Sequence, residues 1–313
     1  MKIVFMGTPV FAVSILEKIV TAGHNVQLVV TKEDKPQGRG HKLEFTPVKY
    51  IAIERDLNIL QPKDLRDIQF INTLKLINPD VIVVAAYGKI LPSEIIKMPK
   101  YGCINVHPSL LPKYRGATPI HHAILNGDKY TGVTTMYMDE GVDTGDILLT
   151  SQIDIDENET TGSLSDKLAT LGADLLIDTL KQLEAETITR IKQNELDAIY
   201  TKMIDKSMGF VNWHKKSNEI INLIKGLTPW PSAYTYYKEQ MMKILEVEKS
   251  NEIYEKKKNG EIVKINDKGF IVKTGDGSIV VTKIQMQNSR AMKVVDYMRG
   301  HKIEIGEILD IEE

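Results

Sequence analysis

Asn105 and His107 stand two residues apart at the end of Gly102-Cys103-Ile104-Asn105-Val106-His107-Pro108, an apolar run of strand character. On a strand, residues two apart share a face. The amide and the imidazole are therefore expected side by side, and Pro108 ends the ladder because it has no N–H to give. An amide supplies hydrogen-bond donors, and a histidine can gain or lose a proton near neutral pH. Such a pair suits a carbonyl carbon under attack, with N–H groups stabilising the oxyanion and the imidazole moving a proton. The charge of the imidazole needs a carboxylate to set it. Met138-Asp139-Glu140-Gly141-Val142-Asp143-Thr144-Gly145-Asp146 offers Asp139, Glu140, Asp143 and Asp146. Asp143 lies between two glycines, where backbone can approach a ligand closely. The competing interpretation is plainer: polar residues at a strand end that cap a turn.

No covalent nucleophile accompanies the pair. Ser109 lacks the Gly-x-Ser-x-Gly elbow, and Cys103 lies inside the strand. Direct transfer between two bound substrates is the chemistry left. The turn Phe5-Met6-Gly7-Thr8-Pro9 lacks the Gly-x-Gly-x-x-Gly fingerprint, which argues against a dinucleotide and hydride transfer. The seven histidines show no metal-ligand spacing and there is one cysteine, so no metal is expected. That cysteine count also fits a reducing compartment. Apolar residues make up 42% of the 313-residue chain and charged ones 26%, a globular composition. With a net charge of −2, a polyanion would have to meet a local basic patch. No apolar run reaches the roughly 18 residues of a membrane span, and the first residues enter a strand without a targeting pattern. A cytoplasmic protein is expected.

Short apolar runs alternate with helical periodicity through the first half. Strands are expected over Lys2 to Met6, Asn25 to Thr31, up to about Ala86 and through Val106. Helices are expected over Pro9 to Val20, from Pro47, and from Thr161 to about Glu184. This is the pattern of a Rossmann-like, mostly parallel α/β sheet, whose ligands bind beyond the carboxyl ends of the strands. Thr131 to Tyr137 and Ile147 to Ile155 add strands on either side of the acidic loop. Lys32 to Lys42 reads as a polar, Gly-rich, Lys-rich loop. Residues 1–190 thus form an expected catalytic domain, with 191–206 a polar linker. From 207 to 313 an amphipathic helix, Asn212 to Leu227, precedes short strands broken by Asn259-Gly260, Asp267-Lys268-Gly269 and Gly275-Asp276-Gly277. Hairpin signals at that spacing suggest a small OB-like β-barrel.

The stretch from Asn105 through Asp128, taken with Met138 to Leu148 downstream, resembles the folate-dependent formyltransferases. The resemblance covers nearly the whole chain. It implies 10-formyltetrahydrofolate as formyl donor, with Asn105, His107 and Asp143 around the formyl group. It also implies folate contacts from Ser109, Leu110, Leu111 and Pro112, from the Tyr87, Gly88, Lys89, Ile90 and Leu91 segment, and from Gly141 and Val142. The start of the chain, the basic loop and the opening of the second domain resemble the members that formylate a methionyl initiator tRNA. On that resemblance Lys35, Arg39, His41 and Lys42 are expected at the tRNA, and a monomer is expected. The second domain also carries more Lys and Arg than Asp and Glu up to Ile303, as phosphate contacts require. Val10, Lys113-Tyr114 and His121-His122 depart from the family's usual residues, none of them at the reacting centre. Four alternatives stay open: an amino sugar nucleotide acceptor, glycinamide ribonucleotide as acceptor, a formyltetrahydrofolate hydrolase, and a non-catalytic RNA-binding factor.

Overall fold

Residues 1–37 and 42–309 are described in a computed structural model. The chain divides into two compact units. One comprises Met1–Pro119, Tyr130–Asp154 and Ser165–Thr201; the other comprises Ile120–Lys129, Ile155–Leu164 and Lys202–Glu313.

From the amino terminus the elements are β1 (Lys2–Gly7), α1 (Val10–Thr21), β2 (Asn25–Val30), β3 (Lys35–Gln37), β4 (Lys42–Glu44), α2 (Pro47–Glu54) and β5 (Ile59–Leu60). There follow α3 (Ile68–Ile77), β6 (Val81–Ala85), α4 (Ser93–Ile96), β7 (Cys103–His107), β8 (Arg115–Gly116) and α5 (Pro119–Leu125). Next come β9 (Tyr130–Tyr137), β10 (Ile147–Asp154), α6 (Thr161–Glu184) and β11 (Tyr200–Thr201). The main sheet has the order β10-β9-β7-β6-β1-β2-β5. From β7 to β5 it is parallel, and β9 and β10 join antiparallel. Every residue of β6 is buried, as parallel strands covered on both faces require.

The chain runs outward from β1 in one direction through β2 and β5, then in the other through β6 and β7. The crevice between β1 and β6 is therefore the topological switch point, the usual ligand side of such a sheet. There the Thr8 hydroxyl donates to the Tyr87 carbonyl at 3.3 Å. The segment expected as a plain loop between Lys32 and Lys42 holds the antiparallel pair β3–β4. Its base is closed by Thr31 and Thr46, whose hydroxyls lie 2.8 Å apart, and by Asp34, which accepts from Lys49 and Gln61.

The second unit contains α7 (Ser217–Gly226), β12 (Ala233–Tyr237), β13 (Gln240–Ser250), β14 (Ile262–Ile265), β15 (Phe270–Lys273), β16 (Ser278–Met286), β17 (Met292–Lys293) and α8 (Val294–Tyr297). Its sheet is antiparallel, in the order β12-β13-β16-β15-β14, with β17 on β16. The outer edges of this path carry only short bridges among the described residues, Tyr234 of β12 to Phe210 and Ile262 of β14 to Gly306 and Glu307. It is an antiparallel sheet in keeping with the OB-like domain expected. The amphipathic helix begins at Ser217 and not at Asn212. Asn212 turns the chain by accepting from the His214 N–H at 2.9 Å, and Asp276 caps the Ser217 N–H at 2.7 Å. Ile220, Ile221 and Ile224 of this helix join Trp213, Ile244, Phe270 and Val281 in one buried cluster.

Gly132 on β9 shows how tightly the site's supports are packed. A methyl group there would strike the Ser151 carbonyl oxygen and meet Leu110 Cδ2 at 2.6 Å. Gly132→Ala should cost about 1–3 kcal/mol of stability by overpacking, read as a lower urea midpoint at unchanged m.

Candidate active site

β7 presents Asn105 half-buried and His107 at 4% exposure on one face, the arrangement their spacing dictates. The loop between β9 and β10 brings Asp143 to both. Asn105 Nδ2 donates to Asp143 Oδ1 at 3.3 Å, and His107 Nδ1 lies 3.5 Å from Asp143 Oδ2. The Gly116 N–H donates to the same Oδ2 at 2.8 Å. Asp143 reaches this position with φ at 55°, a left-handed conformation that side-chain-bearing residues rarely adopt. Gly145 nearby must be glycine, since a Cβ would run into the Tyr137 carbonyl.

The tautomer of His107 follows from its other nitrogen. Nε2 lies 2.9 Å from the Tyr114 carbonyl, which can only accept, so Nε2 carries a proton. Nδ1 is then the nitrogen free to gain or lose one, and it faces the carboxylate. At 3.5 Å that contact is looser than a hydrogen bond. Catalytic hydrogen bonds commonly shorten when substrate arrives. Asn105 has a second amide hydrogen left for a substrate oxygen. Of the other acidic candidates, Asp139 accepts from the Gly141 N–H and the Thr144 hydroxyl within its own loop, and Glu140 accepts from Ser93 at 2.9 Å. Asp143 is the carboxylate that meets the pair.

The segment expected as a linker packs onto this site. Gln193, 6% exposed, donates through Nε2 to the carbonyls of Asp143 (2.8 Å) and Gly145 (2.7 Å). Its Oε1 accepts from Arg115 Nε at 2.9 Å. Arg115 is fully buried; its two terminal nitrogens each donate to Glu195 at 2.8 Å, and Nη1 also donates to Tyr200 at 2.9 Å. The Glu195 contact holds the guanidinium well above its ordinary pKa, and the Glu195 carboxyl falls below its own. Parallel pairing of β8 with β11 closes the arrangement. None of Arg115, Gln193 and Glu195 was singled out from the sequence. The Arg115-Gly116 step beside the His107 turn was the one local signal.

The residues expected at the folate divide into groups. Ser109 is buried, and its hydroxyl donates to the Lys113 carbonyl at 2.6 Å, so it shapes the turn. Leu111 packs on Met136 and Ile147, while Leu110 and Pro112 are half-buried. Tyr87 and Leu91 belong to the core beneath β1 and β6. Burial without a hydrogen-bond partner pushes the Tyr87 hydroxyl up to about 12. Gly88 takes φ 73°, and the Lys89 ammonium is held by the carbonyls of Pro62 and Lys63. Ile90 and Val142 are 84% and 53% exposed, and Gly141 is exposed. The loops bearing Ile90 and Val142 are joined by the Ser93–Glu140 bond. Lys35 is exposed; Lys42 lies in β4; Arg39 and His41 fall outside the described residues. Burial pushes the Cys103 thiol up to about 12, so no thiolate is available near neutral pH. Among the described residues no group of three His, Cys, Asp or Glu could hold a metal ion, and no helix is long and apolar enough to cross a membrane.

The formyl transferase profile matches residues 1–180, and the formyl transferase C-terminal domain profile matches residues 203–302. The chain belongs to the formyl transferase family. Among curated proteins, methionyl-tRNA formyltransferase of Acetivibrio thermocellus is 48% identical over 309 residues, covering 99% of both chains. The protein of that name from Clostridium tetani is 49% identical over 311 residues, covering 99% of this chain and 100% of its own. Solved structures share the fold. A sugar 3N-formyl transferase, WlaRD, in the presence of dTDP and 5-N-formyl-THF has a TM-score of 0.67 at 22% identity, covering 93% of this chain and 99% of that one. HypX from Aquifex aeolicus in complex with tetrahydrofolic acid has a TM-score of 0.67 at 16% identity, covering 98% of this chain and 50% of its own.

His107→Ala should lower kcat by about 10²–10⁴-fold, the span for a positioned proton-transfer group. Asp143→Asn keeps the side chain's shape and removes its charge. It should lower kcat as severely, because the Asn105 amide and the Gly116 N–H lose their charged acceptor and the imidazole its facing carboxylate. Steady-state rates at saturating substrates check both; a wild-type rate in either variant places the centre elsewhere.

Proposed function

We propose that this protein transfers the formyl group of 10-formyltetrahydrofolate to the α-amine of methionyl initiator tRNA, giving the formylated tRNA that starts translation. The observation that carries this reading is the meeting of Asn105, His107 and Asp143 in a chain of the formyl transferase family. The acceptor follows from relatives bearing that name that match the chain end to end at 48% identity. In this reading the protein acts as a cytoplasmic monomer. Its catalytic part, expected to end at residue 190, takes in the stretch to Thr201 that packs onto the site, and the part from 207 contacts tRNA.

The switch-point crevice suits the donor. Ile90 and Val142 offer exposed apolar surface on two linked loops, fitting the faces of a planar ring system. Gly88 leaves backbone bare beside them, where its donors and acceptors can read ring heteroatoms. Ser109 to Pro112 build the turn that walls this side.

The attacking amine reaches the formyl carbon, and the carbonyl oxygen becomes an oxyanion. Asn105 donates its free amide hydrogen to that oxygen. His107, its Nε2 proton fixed on Tyr114, adds positive charge when Nδ1 is protonated. Asp143 accepts a proton from the attacking amine. The oxyanion then collapses, and the bond from the formyl carbon to the donor nitrogen breaks. Tetrahydrofolate leaves carrying that proton, passed to its nitrogen through His107. No covalent enzyme intermediate is needed in this reading.

The test is to incubate the protein with 10-formyltetrahydrofolate and charged methionyl initiator tRNA, and to follow formyl-methionine on the tRNA. Formate release without tRNA, at a rate matching or exceeding transfer, would instead make the protein a hydrolase. The basic loop gives a second prediction. Arg39→Ala should lower kcat/KM for methionyl-tRNA by about fivefold or more, roughly 1 kcal/mol. Added salt should narrow the difference, because part of the lost energy is phosphate attraction. An equal loss with a small amine acceptor would mean that the loop does not act through tRNA.

A further inference from the structure

Asp143 is held by more than the groups it serves. Its left-handed backbone carries a conformational cost that neighbouring contacts must offset. The structure assigns that task to Gln193, which we propose as a positioning residue of the formyl transfer, acting on Asp143 from 50 positions downstream. The inference rests on the proposed reaction and deepens it.

The geometry is specific. One amide nitrogen donates to the carbonyls on either side of Thr144, at 2.8 Å to Asp143 and 2.7 Å to Gly145. A primary amide has two N–H groups, so both bonds form at once. Its oxygen is occupied by Arg115 Nε, which fixes which end of the amide faces the loop. Arg115 in turn is fixed by Glu195 and Tyr200. The same strand passes one residue from each catalytic contact: Tyr114 accepts from His107, and Gly116 donates to Asp143. The side chain of Arg115 thus aims Gln193, while its neighbours on the backbone hold the imidazole and the carboxylate. An error in Gln193 rotates the Asp143 carboxylate away from Asn105 and His107, which costs turnover more than binding.

Three variants of the full chain test this with charged tRNA and the folate donor. Gln193→Ala removes both donors and should lower kcat about 10–100-fold, with KM for each substrate within about twofold. Gln193→Glu keeps the volume and the acceptor for Arg115 but cannot donate to the carbonyls. It should lose as much, and it carries the test if the alanine variant fails to fold. The third is the combination with Asp143→Asn. A residue acting through Asp143 should add less than about threefold to that variant's loss. Wild-type kcat in Gln193→Glu, or a full additive loss in the combination, overturns the inference and makes Gln193 ordinary packing. Absence of transfer by the wild-type protein in the same assay sinks the proposed reaction instead.

Discussion

The site depends on one carboxylate shared among three groups on two strands. Asp143 accepts from Asn105 on β7 and from the Gly116 N–H on β8, and it faces His107 on β7. Each partner is also tied to the scaffold: Asn105 and His107 by the ladders of β7, and Gly116 by the β8–β11 pair. A half-buried carboxylate loses hydration and regains it from fixed donors, so its position and its charge stabilise each other. The left-handed turn at Asp143 and the glycine at 145 are what this placement requires of the loop.

Much of the first unit is legible in the sequence because its determinants are local. β7 ends where Pro108 predicts, and the two-residue period puts Asn105 and His107 on one face. The long helix spans Thr161–Glu184 as its periodicity indicates. The acidic loop was visible with four candidate carboxylates and glycines flanking Asp143, and the family resemblance chose Asp143 among them. What was hidden depends on contacts distant in sequence. Gln193 and Glu195 sit in a polar stretch that reads as linker, because composition cannot separate polar residues that face water from those paired with a buried guanidinium. The strand pair β3–β4 was masked in the same way by Lys and Gly. The helix of the second unit was read too long at its start, since Asn212 to Lys215 continue an amphipathic pattern that the Asp276 cap cuts off.

Polar contacts near the centre divide by what they do. The Ser109 hydroxyl, Thr134 and the Leu111 N–H fix the turn after β7: Thr134 donates to the Ser109 carbonyl at 2.7 Å and accepts from Leu111 at 3.1 Å. These groups satisfy backbone that would otherwise be buried unpaired. The family's Ser-Leu-Leu-Pro signature is thus explained first as turn chemistry. The apolar surface at Ile90 and Val142 has no such internal use, which makes those side chains the better candidates for direct contact with a planar ligand.

The pairing of β8 with β11 joins residues 115–116 to 200–201. Synthesis on a ribosome proceeds from the amino terminus, so the sheet through β10 can assemble while the clamp is still to be made. A nascent chain that has exposed only as far as the Asp143 loop holds Asn105, His107 and Asp143 without the Gln193 and Arg115 contacts that tie the loop down. The clamp can therefore close only once residues 200–201 have emerged, well after the first strands have found one another. A protease cut between Glu186 and Gln193 would sever the aiming residues from the Asp143 loop in the chain while leaving the seven-stranded sheet covalently whole.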